Sequence, residues 1–102
     1  MAQSTTAELL EALASEIGEN VFMDIAKWHL YLENARLHTV LAEQLYPLLT
    51  SNTLQEDRVM QVLNGISVKL GGGKRELPLA DLIPLQGQAT LMEILRRFLR
   101  EL

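Results

Sequence analysis

The sequence predicts a mostly α fold of the α+β kind. About five helices surround a central helix at residues 19–32, and one β-hairpin, at about residues 66–79, precedes a C-terminal helix. Three observations predict it. Apolar residues recur at three- and four-residue spacing along most of the chain. The spacing switches to two between Ile66 and Leu70, just before a glycine run. Gly18, Pro47 and Gly65 fall where helical patterns end or bend. The 102 residues form a single small globular domain, with only the first few residues loose.

The elements follow in order. Thr5-x-x-Glu8 is a capping-box pattern that opens a helix. Leu9, Leu13 and Ile17 give its apolar stripe, Leu10 and Ala14 widen it, and Gly18 is its expected stop. In 19–32, Val21, Phe22, Ile25, Trp28, His29 and Leu32 share an arc of about 120° on a helix. Asp24, Lys27 and Tyr31 leave only a narrow polar strip, and a helix apolar on most sides belongs at the centre.

A third helix is expected over 34–50, with Asn34 as its cap and Leu37, Val40, Leu41, Gln44, Leu45 and Leu48 on its face. Pro47 should kink it or end it near Tyr46. Thr53-x-x-Glu56 reads as a second capping box, and Val59, Met60 and Leu63 complete a short helix closed by Gly65. Ile66, Val68 and Leu70 then alternate with Ser67 and Lys69, and Arg75–Leu79 resumes extended character. Pro78 should stand on an outward, non-bonding edge. Leu82-Ile83-Pro84 anchors the connection to a helix at 88–102, whose stripe is Leu91, Ile94, Leu95, Phe98, Leu99 and Leu102. That helix is expected to pack across the central one.

Composition excludes several functions. There is no cysteine, so disulfides, thiolate metal sites, iron–sulfur clusters and cysteine nucleophiles are absent. Met1–Leu13 has no basic start and carries Glu8 and Glu11, unlike a signal peptide. No apolar run is long enough to span a membrane. These features lead to the expectation of a soluble, intracellular, cytoplasmic protein. The net charge of −4 argues against bulk nucleic-acid binding. The charge is divided: residues 1–57 carry nine acids and two bases, net −7, and residues 58–102 seven bases and four acids, net +3. Either the two halves attract within the fold, or the basic half faces an acidic partner.

Gly71-Gly72-Gly73-Lys74-Arg75 is the most suggestive local feature. Open backbone N–H groups followed by two cations suit a phosphate or carboxylate. The loop is not a Walker A sequence, because Arg75 stands where Ser or Thr is needed and the earlier glycine is missing. The plainer reading is a hairpin tip whose glycines supply positive φ. His29, Glu33 and His38 are the only arrangement resembling metal ligands, yet one helix would turn His38 about 180° from His29. The expectation is no metal and no cofactor, with His29 at the core edge and His38 near the surface.

Ser67, His29 and Asp81 lack a G-x-S-x-G context, so no catalytic residue is assigned. Asp24 and Lys27 read as a surface ion pair, as do Glu93 with Arg97 and Arg97 with Glu101. Arg96, Arg97 and Arg100 opposite an apolar stripe also fit a membrane-surface helix, although ordinary solvation explains them. Trp28, Tyr31 and Tyr46 with His29 and Lys27 suggest an aromatic patch. Phe22 and Trp28 are needed for the core, which leaves Tyr31 as the exposed ring.

Two stretches carry a wider resemblance. Ala26-Lys27-Trp28-His29-Leu30-Tyr31-Leu32, Leu37-His38-Thr39 and Leu41-Ala42-Glu43-Gln44-Leu45-Tyr46-Pro47-Leu48-Leu49 form one. Gly71-Gly72-Gly73-Lys74-Arg75-Glu76-Leu77-Pro78-Leu79-Ala80-Asp81-Leu82-Ile83-Pro84 is the other. Together they resemble a small family of cyanobacterial proteins of unknown function, each about this long. The resemblance covers nearly the whole chain. It implies a cyanobacterial cytosolic protein linked to photosynthetic physiology, and it brings neither an activity nor a functional residue.

The leading expectation is a non-catalytic adaptor, regulatory or assembly protein that binds another protein, with Lys74 and Arg75 at the centre of its basic face. The alternative is a sensor of an anionic or phosphorylated ligand at residues 71–75. A metal-dependent enzyme using His29, Glu33 and His38 is the third reading. A helical homodimer is compatible with each, since Leu-rich helices can keep spare apolar faces.

Overall fold

The computed structural model describes residues 6–25, 28–70 and 73–101, apart from the side chain of Trp28. The expected loose start falls on residues 1–5, outside the described residues, as do Thr5, Ala26, Lys27, Gly71, Gly72 and Leu102. The order of elements is α1 (Thr6–Asn20), β1 (Phe22–Ile25), β2 (Trp28–Tyr31), α2 (His38–Thr50), α3 (Glu56–Gly65), β3 (Ser67–Leu70), β4 (Arg75–Pro78), α4 (Leu79–Leu82) and α5 (Leu85–Glu101). The mostly helical α+β class is what the sequence predicts. The membership of the set differs at one place that matters for function.

Phe22–Ile25 and Trp28–Tyr31 pair as antiparallel strands, not as parts of the central helix expected over 19–32. Phe22 lies opposite Tyr31, Met23 opposite Leu30, Asp24 opposite His29 and Ile25 opposite Trp28. Burial alternates along the pair: Val21, Met23 and Leu32 are buried, whereas Asp24, His29 and Tyr31 are exposed. Valine, phenylalanine, isoleucine, tryptophan and tyrosine favour such a pleated, half-buried surface. The same run satisfies a helical arc and a two-residue period, and packing chose the second. Leu32 N–H continues the ladder to the Val21 carbonyl at 3.0 Å.

α1 packs against α2 and α5, and α2 also touches α5 and α3. Its stripe buries Leu13, Ala14 and Ile17. The helix runs past Gly18 to Asn20. Asn20 Nδ2 donates to the Glu16 carbonyl at 2.8 Å, and Val21 N–H to the Ile17 carbonyl at 2.9 Å. α2 opens four residues later than expected. Leu37, not Asn34, holds its N-cap position without a side-chain bond, because residues 32–36 form turns, with Arg36 at φ 60°.

Pro47 neither ends nor visibly interrupts α2, which continues to Thr50. Pro47 and Glu43 are both exposed, so the carbonyl that loses its helical donor at residue 43 can be hydrated. Thr53 does not cap α3 either. Gln55 occupies that position, and the Thr53 hydroxyl bonds to Ser51 Oγ at 2.7 Å.

β3 and β4 pair from Ser67–Pro78 to Leu70–Arg75, as the alternation predicts. Pro78 shares the outer face with Ser67, Lys69 and Glu76. The short α4 buries Leu79, Ala80 and Leu82 and touches β1, β4 and α3, so it holds both hairpins on one core. α5 begins at Leu85 and buries Leu91, Met92, Ile94 and Leu95. It lies on α1 and α2 in place of the helix expected at 19–32, and it meets β1 through Gly87. A Cβ there would come 3.2 Å from the Phe22 carbonyl oxygen and 2.8 Å from Ile83 Cγ2.

Candidate functional site: the outer face of the first hairpin

Because side chains alternate across a strand, Phe22 and Asp24 of β1 share one face with His29 and Tyr31 of β2. Met23 and Leu30 take the other face, toward the core. The outer face is therefore a two-by-two block, with Phe22 beside Tyr31 and Asp24 beside His29. The Phe22 and His29 rings meet edge to face, with centroids 5.2 Å apart and planes at 80°. Phe22 and Tyr31 do the same at 6.0 Å and 67°. This offset geometry suits the ring quadrupoles. His29 Nδ1 is paired with Asp24 Oδ1.

The block is open to solvent. The His29 side chain is 69% exposed, the Asp24 side chain 43%, and Tyr31 43%. Phe22 is half-buried and forms the floor. Phe22, His29 and Tyr31 line a shallow cup of about 250 Å³. Its chemistry is that of recognition: ring faces, one carboxylate, and an imidazole bonded to that carboxylate.

The residues expected to form sites are distributed as follows. Tyr31 is exposed, as expected, but its partners are the residues of this face. Phe22 is not a core ring. His29 is not a core-edge histidine. Asp24 pairs with His29, and Lys27 is outside the described residues. The sequence places His29 in an aromatic patch with Tyr31 but does not bring Phe22 and Asp24 to it. The signal that would have found them is the two-residue alternation from Val21 to Leu32.

The glycine loop belongs to the other hairpin, a separate two-stranded sheet. Gly71 and Gly72 are outside the described residues. Gly73 adopts φ 89°, and its N–H donates to the Leu70 carbonyl at 3.1 Å, which closes a turn. Lys74 and Arg75 are exposed, and neither has an ion-pair partner among the described residues. Lys69 projects beside Glu76 on the face opposite Arg75, so the cations of this hairpin are not gathered into one patch.

The metal reading distributes its three ligands over β2, the following turn and the head of α2. Among the described residues no group of three or more His, Asp or Glu side chains is placed to hold a metal ion. His38 is half-buried, and its Nδ1 is buried without a hydrogen-bond partner among the described residues. Arg97 bonds neither Glu93 nor Glu101. It reaches Glu16 of α1 at 3.0 Å, joining the acidic and basic halves of the chain.

Among the described residues no helix is long and apolar enough to cross a membrane. No solved structure matches the chain. A thylakoid-associated protein of Synechocystis sp. (strain ATCC 27184 / PCC 6803 / Kazusa) is 42% identical over 95 residues, covering 93% of each chain. The profile of the protein family of unknown function DUF3181 matches residues 10–98, and with nearly nine-tenths of its length inside that match this chain belongs to the family.

Proposed function

We propose that this protein is a non-catalytic docking module, an adaptor or assembly factor that binds a protein at the thylakoid through the outer face of β1–β2. The observation that supports it most is the exposed block of Phe22, His29 and Tyr31. Tyrosine and other aromatic residues supply a large share of the binding energy where proteins meet. The thylakoid association of the Synechocystis relative supplies the location. A cytoplasmic pool that attaches to the membrane surface fits both.

The test is sedimentation of the purified chain with washed thylakoid membranes. Tyr31→Ala and Phe22→Ala should each reduce the bound fraction several-fold, since an interface anchor is worth about 2 kcal/mol or more. Mild protease treatment of the membranes should abolish binding, and protein-free vesicles of the same lipids should not bind. Undiminished sedimentation of both variants would remove this face from the reading.

A second reading keeps Lys74 and Arg75, exposed at the end of the β3–β4 hairpin, as an anion site or as a basic face for an acidic protein. A ligand that binds only the folded state raises the melting temperature. Phosphate, nucleotides and sugar phosphates should then shift it, and Lys74→Glu with Arg75→Glu should abolish the shift.

A further inference from the structure

We propose that the cup on β1–β2 receives one arginine side chain of the docking partner, with its guanidinium over the rings of Phe22 and Tyr31 and hydrogen-bonded to Asp24. This rests on the reading of that face as a docking surface and adds the chemistry of what docks.

Three observations converge on a guanidinium. Asp24 uses Oδ1 for His29, and no described residue bonds its Oδ2. The Asp24 side chain is 43% exposed, so its carboxylate can be reached from solvent. The rings of Phe22, His29 and Tyr31 beside it meet edge to face and line the cup. An aromatic π face attracts a cation within about 6 Å of its centroid. The cup also lies in the half of the chain whose net charge is −7, which draws cations toward it.

Arginine fits better than lysine. Its guanidinium is planar and weakly hydrated, stacks on rings and presents paired donors to a carboxylate. A lysine ammonium would keep more of its water. The cup, at about 250 Å³ and open, is too shallow to enclose a metabolite, yet it takes a side-chain tip presented by a folded partner.

The experiment is an amide and side-chain NMR titration of the full chain with N-acetyl-arginine methylamide. The citrulline and lysine analogues serve as comparisons. The arginine probe should give saturable shifts concentrated at Phe22, Asp24, His29 and Tyr31. Citrulline has the same shape without the charge and should give none that saturate. Asp24→Asn should weaken arginine binding about tenfold, as loss of a charge-assisted pair predicts. Tyr31→Leu keeps an apolar residue in the strand and removes the ring, so it should also weaken binding if Asp24→Asn disturbs the hairpin.

No saturable shift with arginine, equal shifts with citrulline, or full binding by both variants would overturn the proposal. If arginine fails while Tyr31→Ala still releases the protein from membranes, the arginine assignment alone falls. If arginine binds and the membrane assay is indifferent to this face, the docking reading falls.

Discussion

Gly18 of α1 and His38 at the head of α2 approach so closely that a Cβ on Gly18 would lie 3.1 Å from the Cβ of His38. The same atom would be 2.8 Å from the Cβ of Glu33. Both neighbours are fixed to the backbone, so no rotamer change relieves the contact. Gly18 therefore marks where α1 meets the turn into α2, not where α1 stops. Gly18→Ala should lower unfolding free energy by about 1–2 kcal/mol, because the overpacking exceeds the gain in helix propensity. A urea midpoint at or above that of the parent chain would contradict this packing.

Arg36 holds φ 60°, a left-handed conformation that costs a side-chain-bearing residue about 1–2 kcal/mol. Glycine adopts it freely but loses about 0.5–1 kcal/mol more backbone entropy on folding. Arg36→Gly should therefore raise stability slightly, by about 0.5–1 kcal/mol. Arg36→Val should lower it, since a branched side chain is worst tolerated there. Thermal unfolding of the two variants, measured side by side, should move in opposite directions.

Pro47 sits inside α2, where it cannot donate to the Glu43 carbonyl. Its exposure makes the position permissive but not favourable. Pro47→Ala restores the donor and should stabilise the chain by about 1–2 kcal/mol, less than the roughly 3 kcal/mol of an isolated helix because proline also restricts the unfolded chain. A fall in melting temperature would show that the proline shapes the helix in a way the packing needs.

The Glu16–Arg97 pair joins α1 to α5, with side chains 42% and 46% exposed. At that exposure a salt bridge contributes about 0.2–1 kcal/mol. A double-mutant cycle with Glu16→Gln and Arg97→Gln should return a coupling in that range, decreasing toward zero at about 1 M salt, where the Debye length is near 3 Å. A coupling above about 2 kcal/mol would mean that the pair is less screened by solvent than its exposure implies.

Most of the helical framework was legible because one period dominated each segment. Leu91, Ile94 and Leu95 repeat at helical spacing and are buried in α5; Val68 and Leu77 fix the inner face of β3–β4. The capping patterns were less informative. Thr53 had an equally good local partner in Ser51, and a hydroxyl two residues away competes with a helix end. The site was hidden for a related reason. From Val21 to Leu32 the run is so apolar that two periods fit, and the helical one sent Phe22 and His29 into the core.

By itself the sequence determined a mostly α chain with a β3–β4 hairpin, a leucine core and acidic and basic halves, because spacing and charge are properties of the chain alone. Only the tertiary structure decided that Phe22–Ile25 and Trp28–Tyr31 fold as strands. A strand buries alternate residues and a helix buries an arc, and the choice depends on the surface waiting to receive them. Here α4 and the start of α5, brought close at Gly87, meet β1. That surface takes Met23 inward and leaves Phe22, Asp24, His29 and Tyr31 together on the outside.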